Sequence, residues 1–88
     1  MADGDALKGL TEGRIVHYVM PNGAHRPAII VNTLGGGGPH VNLQVFTDVA
    51  NDGVTHGMEW RTSVPYRDPA QAERPRDLIG TWHWPERV

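Results

Sequence analysis

From Arg14 onward the chain reads as five short apolar runs, each stopped by turn-forming residues. Arg14-Ile-Val-His-Tyr-Val-Met20 is rich in β-branched and aromatic residues, and Pro21-Asn22-Gly23 ends it. Asn-Gly there supplies the positive φ angles of a tight hairpin turn. Pro27-Ala-Ile-Ile-Val-Asn-Thr-Leu34 is the second run, with Pro27 suited to a strand start or a sheet edge. Gly35 to Gly38 and Pro39 form a loop tip before Val41-Asn-Leu-Gln-Val-Phe-Thr-Asp48, the cleanest alternation in the sequence. Val41, Leu43 and Val45 project to one face, and Asn42, Gln44, Phe46 and Asp48 to the other. After a turn at Asn51-Asp-Gly53 comes Met58–Val64, with Met58, Trp60, Thr62 and Val64 predicted on one face. Arg67 to Gly80 reads as a loop with at most one helical turn, and Gly80-Thr-Trp-His-Trp-Pro85 as a final short strand.

Five strands in so few residues predict an all-β domain, a small half-open barrel of SH3-like type with an OB-like barrel as the second choice. Curling the sheet also protects edges that a flat five-stranded sheet would expose. The domain spans residues 14–86, preceded by an arm over residues 1–13 in which Asp5 is placed to N-cap one helical turn.

Composition supports this reading. Glycine and proline, 11 and 7 of 88 residues, argue against a helical bundle. No cysteine is present, so disulfides, thiolate zinc sites and a thiol nucleophile are excluded. A chain of this length buries only about 60–65% of the surface its unfolded form exposes, which points to self-association as a homo-oligomer. No apolar stretch approaches a membrane span, and the acidic start lacks the apolar centre of a signal peptide. The net charge of −2, with arginines scattered from Arg14 to Arg87, argues against nonspecific nucleic-acid binding. A few arginines are still enough to clamp a small anionic ligand.

Most chemical motifs fail on inspection. The Gly35–Gly38 run lacks the Lys-Ser/Thr and the helix that a phosphate loop requires. Asp48, Asp52, Gly53 and Glu59 fall at calcium-loop positions, but Ala50 stands where a ligand is needed and the flanks are strands. His17, His25, His40, His56 and His83 show no metal-ligand spacing, so neither a metal nor a cofactor is expected. Ser63 lies mid-strand, not in a nucleophile elbow, and paired carboxylates are absent, so the expectation is a protein that is not an enzyme.

Aromatic residues carry the strongest signal: Tyr18, Trp60, Tyr66, Trp82 and Trp84. Trp82 and Trp84 share one face of the last strand, and His83 takes the other. Either the indoles fill the core with His83 exposed, or the reverse; a small barrel's need for bulky core residues favours the first. The excess of rings predicts a groove in which Tyr66, Trp82 or Trp84 stacks on a ligand. Arg61 and His83 would then contact an anion, helped by Asn42 or Gln44.

Val41-Asn-Leu-Gln-Val-Phe-Thr-Asp48, Trp60-Arg-Thr-Ser-Val-Pro-Tyr66 and Gly80-Thr-Trp-His-Trp-Pro-Glu86, with His25-Arg-Pro-Ala-Ile-Ile-Val31, resemble a family of small tailed-phage and prophage proteins. The resemblance covers about residues 14–86. It implies a phage origin and a setting in the host cytoplasm or the virion, and it transfers no activity residue by residue. Two functions follow as expectations. One is a binding module in the infected cell that sequesters a small nucleotide immune signal or blocks a host protein. The other is a virion part, a capsid decoration or connector.

Overall fold

The computed structural model describes residues 9–34 and 39–85. The expected helical turn at Asp5 and the Gly35–Gly38 tip lie outside those residues. One five-stranded antiparallel sheet forms, from β1 (Ile15–Val19), β2 (His25–Asn32), β3 (Val41–Phe46), β4 (Met58–Val64) and β5 (Trp82–His83). A single helical turn, α1 (Val49–Asp52), joins β3 to β4, and two 3-10 turns, Pro69–Gln71 and Pro75–Leu78, precede β5. The Arg67–Gly80 connection therefore holds two turns where the sequence predicts at most one.

The strand order is β4-β3-β2-β1-β5. This is a four-strand meander with β5 returned beside β1, the SH3-like pairing; an OB-type barrel would pair β1 with β4. The sheet curls far enough for Tyr66, just beyond β4, to bridge Trp82 in β5. Trp82 N donates to Pro65 O at 2.9 Å and Arg67 N to Trp82 O at 3.0 Å. Two hydrogen bonds close the barrel.

The inner face carries the core: Val16, Tyr18, Met20, Ala28, Ile30, Val41, Leu43, Val45, Val64 and Trp82, all buried. The predicted alternation in β3 holds, with Val41, Leu43 and Val45 at 0% exposure. Trp82 fills the centre, and its indole N–H donates to Pro39 O at 2.8 Å.

Three local expectations are corrected. In the Pro21-Asn22-Gly23 turn only Gly23 has positive φ, at 86°. Gly23 N donates to Met20 O and Met20 N to Ala24 O. That is a three-residue loop, a type I turn with Pro21 at its favoured position followed by a left-handed glycine. Pro27 lies inside β2 rather than at its start, opposite His17. Its hydrogen-free nitrogen does no harm, because the β2–β3 ladder begins only at Ala28. In β4 the predicted common face is broken: Met58 and Trp60 are exposed on the outer face opposite Phe46 and Gln44, whereas Val64 pairs with Val41 and is buried. A bulge causes this. The register slips between the Leu43–Arg61 and Val41–Val64 pairs, with Ser63 at φ 52°. The extra residue turns Val64 back into the core.

Candidate functional site

His17 and His83 are direct cross-strand partners on β1 and β5. His25 faces Val19 from β2. Side chains alternate across a strand, so all three histidines share the outer face of the sheet. His83 is 1% exposed, whereas its strand neighbour Trp82 is buried on the inner face. Neither arrangement expected for the last strand forms, because both faces of β5 are covered. The His83 ring stands 4.8 Å from that of His25 and 5.5 Å from that of His17, edge-on to each.

The hydrogen bonds fix the chemistry of His83. Its Nδ1 is 2.8 Å from Trp84 O. A carbonyl only accepts, so Nδ1 carries a proton and donates. In neutral His83 this leaves the Nε2 lone pair facing His25 Nδ1 at 2.9 Å. The ligand atoms of His17, His25 and His83 all lie within 4.8 Å of one another. Among the described residues this trio is the group with the geometry to hold a metal ion.

His83 also lines a pocket of about 540 Å³, together with Tyr66, Asp68, Pro69, Ala70 and Trp84. The closure of the barrel builds it. The Tyr66–Trp82 bridge sets one wall, and the 3-10 turn at Pro69–Gln71 sets another. Asp68 caps that turn, its carboxylate accepting from Ala70 N at 2.9 Å. Trp82 supports both aromatic walls from below, with its ring 4.9 Å from Tyr66 and 5.3 Å, perpendicular, from Trp84. The Arg14 guanidinium lies 5.4 Å from the centre of the Trp84 ring.

The pocket thus unites Tyr66, His83 and Trp84 from the predicted set and leaves out the other four residues. Trp82 is core and supports the site from behind. Arg61 lies on the inner face of β4, ion-paired with Glu59 and 5.7 Å from the centre of the Tyr18 ring. Asn42 accepts from Ser63 N at 2.9 Å and so pins the β4 bulge. Gln44 pairs with Trp60 on the outer face of β3, away from the pocket wall. Sequence reasoning missed His17, His25, Asp68 and Arg14. The first two were detectable: once the Pro21-Asn22-Gly23 loop sets the register, residues 17 and 25 become same-face neighbours.

At the calcium-loop positions, Asp52 serves another purpose. Asp52 accepts from Arg26 Nε at 2.9 Å and Arg26 Nη2 at 2.8 Å, from Asn22 Nδ2 at 2.9 Å, and from Asp48 N at 2.7 Å. These bonds tie α1 to the β1–β2 hairpin. The Arg26 fork, first among them, holds the Asp52 carboxyl well below the usual carboxylate range.

On the outer face of β3 and β4, Phe46, Met58 and Trp60 form an exposed apolar strip. No family model matches the chain, and no curated protein or solved structure matches it.

Proposed function

We propose that the chain is a non-enzymatic, phage-encoded binding module that acts in the infected host cell and takes the ring of a small nucleotide-like ligand in the Tyr66–Trp84 pocket. The observation that carries this reading is the pocket itself: two aromatic side chains, a proline and an imidazole around one concave space. A planar base gains stacking on such rings whatever its edge chemistry. Asp68 repels an anion from the turn side, so the phosphate end lies toward Arg14, beside Trp84. Arg14 takes the role that the sequence had suggested for Arg61. The phage setting rests on the resemblance of the sequence motifs. The strip of Phe46, Met58 and Trp60 is the surface through which copies of the chain would associate.

The test is thermal melting with a panel of cyclic and ADP-ribose-type nucleotides. A ligand that binds only the folded chain stabilises it by about 2.7 kcal/mol at a hundredfold excess over its dissociation constant. W84A should stay folded and lose the shift. A panel with no shift would overturn the nucleotide reading, and recovery of the chain from purified virions would support a structural role instead.

A further inference from the structure

We propose that His17, His25 and His83 form a binding site for a zinc-type divalent ion that clips β5 to β1 and β2. The site stands whatever the neighbouring pocket takes.

Three observations carry it. The first is convergence: nitrogens from three strands, far apart in sequence, approach within 4.8 Å of one another on one face of the sheet. Two imidazole nitrogens on a tetrahedral zinc are about 3.3 Å apart, given Zn–N bonds of about 2.0–2.1 Å. His25 Nδ1 and His83 Nε2, 2.9 Å apart, share a hydrogen bond in the ion-free chain. The ion would take the place of that shared proton, with His25 keeping its hydrogen on Nε2, and the two nitrogens would part slightly to coordination distance. The second is the orientation of His83. A ligating histidine ordinarily gives its other ring N–H to a carbonyl or carboxylate, which fixes the tautomer and aims the lone pair at the metal. The Nδ1 bond to Trp84 O does this for Nε2. The third is need. The strand β5 has two residues and completes the barrel of a domain with no cysteine; small domains commonly add a staple such as a metal to a limited core.

The donor set selects the ion. Imidazole suits zinc and its first-row neighbours, whereas calcium and magnesium prefer oxygen ligands. Three protein nitrogens leave the fourth tetrahedral position to a water or to a donor group in the pocket, whose wall His83 shares.

Titrating the full chain with Co²⁺ tests the site. One equivalent should produce the visible absorption of tetrahedral nitrogen-bound cobalt, Zn²⁺ should abolish it, and Zn²⁺ should raise the melting temperature while Mg²⁺ does not. H17A and H25A, at half-buried positions that tolerate truncation better than His83, should each weaken Co²⁺ binding at least about 10-fold. H40A and H56A should leave it unchanged. The proposal is overturned if no such absorption appears, or if H17A and H25A bind as the parent does while H40A or H56A does not. In the latter case the metal sits elsewhere, and the trio is a hydrogen-bonded cluster only.

Discussion

The indole N–H of Trp82 reaches Pro39 O at 2.8 Å, so the residue at the centre of the core also ties β5 to the segment entering β3. Two contributions can be separated by substitution. W82A should cost about 3–5 kcal/mol in urea unfolding, as the loss of a buried aromatic side chain does. W82F retains a ring but not the donor, and should cost about 1–3 kcal/mol. Equal losses for the two variants would show that the hydrogen bond dominates and the packing does not.

Asn42 offers a test of structure against site. Its side chain accepts from Ser63 N, at the bulge that restores Val64 to the core. N42A should lower stability by about 1 kcal/mol and leave nucleotide-induced melting shifts intact. S63G should raise stability by up to about 1 kcal/mol, since glycine relieves the left-handed strain at a modest entropic cost.

The Asp52 cluster predicts the acid limb of the stability curve. Hydrogen bonds from Arg26, ahead of those from Asn22 and Asp48 N, lower the folded-state pKa below the ordinary value of 3.8. A depressed carboxylate contributes stability that is complete above the unfolded pKa and lost as pH falls through the folded one. The loss should begin below about pH 5 and continue to below about pH 2. In D52N the melting temperature should be lower near neutrality and fall less steeply across that window. Parallel curves for the two proteins would show that Asp52 does not titrate with unfolding.

Trp84 and Tyr66 should differ from Trp82 in kind. Both are half-buried, with faces toward the pocket. W84A and Y66A should retain a cooperative transition, with ligand affinity reduced by roughly 1–3 kcal/mol for each lost stacking surface. Calorimetric titration of each variant checks this, and unchanged affinity in both would place the ligand elsewhere.

Much of the fold was legible because its signals are local. Alternation marks β3, and Pro21-Asn22-Gly23 sets the first hairpin whether the turn is of one type or another. The bulge that breaks the β4 face was not legible: Ser63 in the left-handed region carries no sequence signature, since glycine or asparagine is the residue usually found there. For the site, Tyr66, His83 and Trp84 were visible as an aromatic concentration near the closing strand. Arg61 and Asn42 looked available on a strand diagram, yet Glu59 and the Ser63 amide already engage them. The histidine trio escaped a search for motif spacing because His17 and His83 become neighbours only when β5 pairs with β1. Sheet register, not proximity along the chain, assembles it.

The two-bond seam between the end of β4 and β5 has a consequence for the order in which the molecule is made. Until Trp82 leaves the ribosome, β1 to β4 can form only an open, curved ribbon, its concave side lined by Val16, Tyr18, Ile30, Leu43 and Val45. Synthesis and sealing are therefore separate events. A chain stopped just short of Thr81 would hold every strand but one and present its future interior to whatever is nearby.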